Sequence, residues 1–270
     1  MPQRRFFENV VQLPGVDIQS SARGRVLHHA TREDGGGTLS LDLDDVYAAV
    51  VTDDDGRPIA APYEAYGRVR RPHAFGDSGI TGLRAMAVDY SGKSGADAMI
   101  VLVDRIDGHD KPLWAWQLES ESEGIMQENI DTSGEGREVF KMENYEKARN
   151  GDLLLTESQP ARDDRVRVHE DGFTYAQGDA AMRATFITPA SPSLQLAERI
   201  QYHRTNIEVV RRDQSTGIFA EGDDGFFVIL TFQDGPAPEV EVIEGSGLDA
   251  TVRIGDQTVR FDGEKIILGE

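Results

Sequence analysis

Both tryptophans of the chain stand two residues apart, in Leu113-Trp114-Ala115-Trp116-Gln117-Leu118. A strand carries residues i and i+2 on one face, so both indoles are expected to point the same way. Such a pair can stack against the flat apolar faces of sugar rings, or it can fill a core beneath a second sheet. Leu113 and Leu118 bracket the pair and favour the core. A second group is cationic: Arg68, Arg70, Arg71 and His73 cluster in a chain where 48 Asp and Glu outnumber 28 Lys and Arg. Guanidinium forks bind carboxylates in pairs, so this cluster suits an acidic sugar, or it offsets neighbouring acids. His28 and His29 precede a Gly35-Gly36-Gly37 loop. Adjacent strand residues face opposite ways, so one metal ion would rarely take both. These eight residues, His28, His29, Arg68, Arg70, Arg71, His73, Trp114 and Trp116, are the candidates for carbohydrate contact.

Other chemistries lack their residues. With no cysteine, disulfides, thiolate metal sites and Cys-His nucleophiles are excluded. No GxSxG elbow and no HExxH or HxH pattern occurs, and neither a metal nor a cofactor is expected. Ser91-Gly92-Lys93-Ser94-Gly95 resembles a phosphate loop at a glance, but it lacks the earlier glycine and lies between two expected strands. A hairpin turn is the better reading. Asp53-Asp54-Asp55 and Asp223-Asp224 read as solvated turns. No general base with orienting partners can be assembled, so no catalytic residue is assigned.

The elements that would position these groups are strands. Thr38-Leu39-Ser40-Leu41-Asp42-Leu43, Thr185-Phe186-Ile187 and Glu239-Val240-Glu241-Val242 alternate, and Ala98 to Val103 is a continuous apolar run suited to burial on both faces. Asp-Gly pairs at Asp55, Asp107, Asp171, Asp234 and Asp262 mark turns. Helical signals are confined to Met142–Asn150 and a turn within Asp44–Val51. The expected fold is an all-β antiparallel sandwich with a small C-terminal sheet, divided into a large sandwich over 1–205 and a β-meander over 206–270. The meander strands are Thr251–Ile254, Thr258–Phe261 and Lys265–Leu268. A formal net charge of −20 repels polyanions and argues against nucleic-acid binding. No run is long enough to span a bilayer as a helix, so no membrane partner is expected, and Met1 is not followed by a signal-peptide core. Either the protein is cytoplasmic or its true N-terminus lies upstream.

The order of these features resembles the β-sandwich that follows the helical toroid in heparinase II/III-like polysaccharide lyases. The resemblance rests on Asp42-Leu43-Asp44-Asp45-Val46-Tyr47 (a D-L-x-x-x-Y stretch), then Leu83 to Tyr90, then Met99-Ile100-Val101-Leu102-Val103-Asp104-Arg105-Ile106, then Leu113 to Leu118. Phe173-Thr174 and Ala184 to Pro189 look like its continuation, so it covers roughly Gly24 to Pro189. It implies a parent enzyme that cleaves acidic, uronate-containing polysaccharide by β-elimination, with the present chain as a non-catalytic part. The implied partners are the glycan and an N-terminal helical toroid, and the resemblance leaves a parent free to be periplasmic or secreted. The family's "H-N-T" strand has only Glu8-Asn9-Val10-Val11 to match it. The alternative from another class is an independent carbohydrate-binding module, and a purely structural domain is a third.

Overall fold

A computed structural model describes residues 11–13, 24–51, 53–55, 75–118, 125–128, 164–204, 209–223 and 225–269. The fold is an all-β antiparallel sandwich. The described residues hold strands β1 to β19 in chain order and two short 3-10 turns, Asp44–Val46 and Gly247–Asp249. Of the span Asp44–Val51, where a single turn was expected, Asp44–Val46 forms it and Ala49–Val50 is a strand, while Met142–Asn150 lies outside the described residues. Among the described residues no helix is long and apolar enough to cross a membrane.

Contacts divide the chain into two units. The first joins residues 1–14, 113–163 and 194–220. Its sheet runs β1 (Val11–Gln12), β8 (Leu113–Leu118), β14 (Val209–Glu221) and β13 (Leu194–Arg204), with β9 (Ile125–Glu128) also on β14. Ala115 and Phe219 form its small apolar cluster.

The second unit joins residues 15–112, 164–193 and 221–270. Its eight-stranded sheet has β10 (Val166–His169) and β2 (Arg25–Thr31) as edges. Between them, in order, lie β11 (Gly172–Gln177), β12 (Ala180–Thr188), β15 (Gly225–Asp234), β7 (Ala98–Asp107), β6 (Thr81–Asp89) and β3 (Gly37–Asp42). A two-stranded ribbon pairs β4 (Ala49–Val50) with β5 (Phe75–Gly76), and a four-stranded meander runs β16 (Val240–Glu244), β17 (Thr251–Ile254), β18 (Gln257–Phe261) and β19 (Ile266–Gly269).

Strand alternation builds the core of this unit. Leu83, Ala85, Ala87, Met99, Val101, Val103, Phe227 and Ile229 project from one face of the large sheet and meet Val252, Ile254, Val259, Phe261 and Ile266 of the meander. The opposite face carries Leu102, Phe186, Phe226, Val228 and Leu230, also buried. In the apolar run Ala98 to Val103, Met99, Val101 and Val103 are buried on one face and Leu102 on the other, while Ala98 and Ile100 are half-buried.

The Ser91–Gly95 segment is the β6–β7 hairpin turn, not a cradle at a helix N-terminus. It docks on the β17–β18 turn, where Asp256 N–H donates to the Lys93 carbonyl at 2.9 Å. A Cβ at Gly255 would lie 2.7 Å from that carbonyl, so the closeness of the two turns requires glycine there.

Candidate functional site

Three of the stretches that carry the family resemblance, 42–47, 83–90 and 99–106, lie side by side in the second unit. After β3 the chain turns through Asp44–Val46 and sets its polar groups against the start of β6. Leu43 N–H donates to the Gly82 carbonyl at 2.7 Å, and Asp44 Oδ1 accepts from Gly82 N–H at 2.9 Å. Tyr47 is 3% exposed, and its ring lies where a Cβ on residue 82 would be, so only glycine admits it against β6.

Two residues along β6, Arg84 stands opposite Asp104 of β7. Its Nε and Nη2 donate to the two carboxylate oxygens at 2.5 and 2.9 Å, a bidentate fork. Asp104 is 1% exposed and the Arg84 side chain 18%. Burial works against the guanidinium charge, but the Asp104 carboxylate, with a smaller contribution from Tyr47, outweighs it and holds the Arg84 pKa above its ordinary value. Asp42, at the head of the D-L-x-x-x-Y stretch, accepts from Asp44 N–H at 3.0 Å and pairs with Arg25 at 2.7 Å. Those contacts, the backbone bond first, hold its carboxyl below the usual range. Asp42, Asp44, Arg84 and Asp104 are thus engaged with one another or with nearby backbone and cations, which is the condition of a brace rather than of a reactive centre.

The tryptophan pair belongs to the other unit. Val11 pairs with Trp114, and the Trp114 and Trp116 rings stack with centroids 5.8 Å apart at 9°. Trp114 is 1% exposed, whereas Trp116 is half-buried. The shared face expected from the i, i+2 spacing is observed; of the two indoles, only Trp114 is fully in the core.

Of the remaining candidates, His28 and His29 lie on the edge strand β2 and pair with Ser40 and Leu39 respectively. Ser40 lies on the same face as Ala85, and Leu39 on that of Met86, so the two imidazoles take opposite faces. His28 is half-buried with Nε2 2.9 Å from Thr38 Oγ1, and His29 is exposed. The cluster Arg68, Arg70, Arg71 and His73 lies outside the described residues. Among the described residues no group of three or more His, Cys, Asp or Glu is placed to hold a metal ion.

Sequence reasoning missed the Arg84–Asp104 pair. Its signal was present: within Leu83-Arg84-Ala85-Met86-Ala87, alternation puts Arg84 on the face opposite Ala85, where only a carboxylate on the next strand can compensate it.

No protein-family profile matches the chain. No curated protein matches it either. Among solved structures it is similar to the heparan sulfate lyase HepC from Pedobacter heparinus, at 10% identity and a TM-score of 0.45 over 99% of this chain. It is also similar to a heparinase III gene product, at 9% identity and a TM-score of 0.41 over 97% of this chain. The chain spans about 30% of the length of each.

Proposed function

We propose that this chain is the non-catalytic β-sandwich part of a heparinase II/III-like polysaccharide lyase that acts on uronate-containing polysaccharide by β-elimination. In this role it braces a helical toroid and walls one side of the glycan cleft. The observation that carries the proposal is the fate of the residues behind the sequence resemblance. Asp44, Tyr47, Arg84 and Asp104, drawn from three of those stretches, meet around Gly82 in one cluster of hydrogen bonds, ring packing and a buried ion pair. Residues that are engaged in this way hold a sheet in register and are not available to move a proton.

A second reading, an independent carbohydrate-binding module, is favoured by Trp116 alone. Its half-buried indole, backed by the buried ring of Trp114, presents a rigid apolar plate of the kind sugars stack on. Affinity electrophoresis through gels containing a uronate polysaccharide separates the two. A scaffold that needs its toroid migrates almost as it does in a plain gel, and Trp116→Ala changes nothing. Strong retardation that Trp116→Ala abolishes would replace the lyase part with the binding module.

A further inference from the structure

The outer strands of the eight-stranded sheet carry a polar group that takes no part in the brace. Register sets Arg167, Thr174, Arg183 and Thr231 in one row across β10, β11, β12 and β15. Thr231 pairs in turn with the core residue Met99 of β7, which places the row on the meander side of the sheet. His169 and Gln233 flank the row on its two sides. At this corner Arg167 and Arg183 meet Asp171 and Asp249, so charge is close to balanced here within a chain of net charge −20. β11 carries no charged residue and β12 only Arg183, and the 3-10 turn against β12 and β15 contributes only the exposed Asp249.

Arg183 is incompletely used. Its Nη2 donates to Asp171, while its Nη1 is buried and meets no acceptor among the described residues. Thr231, 1% exposed, has a hydroxyl that is likewise without a partner among them, as is the Gln233 Oε1 atom. A buried guanidinium N–H beside a buried hydroxyl is a donor pair that lacks an acceptor. Nearby, His169 Nε2 lies 2.9 Å from Thr174 Oγ1. Burial first, then the positive charge of Arg183, opposed by Asp171, and last the charge of Arg167 leave the His169 pKa below its ordinary value. The imidazole therefore responds to the charge on Arg183.

We propose that Arg183 Nη1 and the Thr231 hydroxyl form a binding site for one small oxyanion, a carboxylate or a sulfate group, with Arg167 as the second cation. This inference does not depend on the lyase reading. The competing occupant is a water bridging Arg183, Thr231 and Gln233.

His169 provides the test. Proton NMR titration of the histidines in the full chain is run in sodium sulfate, sodium acetate and sodium chloride at equal ionic strength, with His169 assigned by His169→Gln. A bound oxyanion stabilises the imidazolium, so its midpoint should rise by about half a unit or more in sulfate or acetate relative to chloride. The responding salt identifies which oxyanion the site takes. Arg183→Lys keeps the charge and a donor for Asp171 but loses the second nitrogen of the planar fork, and it should erase the shift. Thr231→Val keeps the volume and should weaken the anion about tenfold, the effect of one lost hydrogen bond. Equal midpoints in all three salts, or a shift that survives both substitutions, would leave water as the occupant and overturn the site.

Discussion

Removing one partner of the Arg84–Asp104 pair should expose how much the brace matters. Arg84→Met leaves the Asp104 carboxylate, 1% exposed, without its two charged donors. Stranding one charge of a buried pair costs about 3–5 kcal/mol, and the 18% exposure of the Arg84 side chain argues for the lower end. The double variant Arg84→Met/Asp104→Leu removes both charges and fills the space with apolar atoms. It should recover most of the loss, within about 1 kcal/mol of the parent, because desolvating two charges offsets most of their attraction. The coupling energy would then be at least about 2 kcal/mol even if Asp104→Leu alone cost nothing, against less than about 1 kcal/mol for the Arg25–Asp42 pair, whose arginine is 75% exposed. Urea unfolding followed by far-UV circular dichroism measures all four corners of the cycle, provided tryptophan fluorescence gives coincident transitions. An Arg84→Met loss under about 1 kcal/mol would refute the brace, since an ion pair that matters so little is not the keystone of the sheet.

Trp114→Ala should lower stability by about 3–5 kcal/mol, and Trp116→Ala by less than half of that, in paired urea melts. Gly255→Ala should cost about 1–3 kcal/mol, because the residue has φ +55° and a Cβ there meets the Lys93 carbonyl; thermal melts of the two forms decide it. Backbone amides hold the carboxyls of Asp34, Asp42 and Asp262 below their ordinary 3.8, so the unfolded chain takes up their protons first. Their stabilisation is complete above 3.8 and is lost as pH falls through the lower folded values; urea midpoints should therefore begin to fall below about pH 4. His169 acts in a higher window. Its folded pKa lies below 6.5, so stability is intact above 6.5 and declines as pH falls beneath it, and His169→Gln should remove that part of the decline.

The strands were legible in the sequence because one physical rule, alternation against a face, governs them. The meander is the clearest instance: the apolar triplets around Val252, Val259 and Ile267 and the Gly255-Asp256 and Asp262-Gly263 turns place β17, β18 and β19 within a residue or two. The shared face of Trp114 and Trp116 was legible from spacing alone, but their stacking and unequal burial were not, since these depend on what lies over each ring. The long-range joins were not legible either. Nothing local in Ser91–Gly95 announces that its backbone meets the turn at Gly255, and nothing near Asp171 points to Arg183 on the following strand. Such contacts depend on sheet order, which alternation does not encode. The motif cluster lies between the two cases: the stretches were visible, and their meeting through Gly82 appeared only once β3, β6 and β7 were set side by side.

The central claim is that this chain braces and does not catalyse. The direct measurement is ultraviolet absorbance of the purified chain with heparan sulfate, alginate and polygalacturonate, each scored for the unsaturated uronate that β-elimination leaves behind. The account predicts a flat trace for every polysaccharide at any protein concentration. A linear rise proportional to the amount of chain would contradict it, because it would require a general base within this protein.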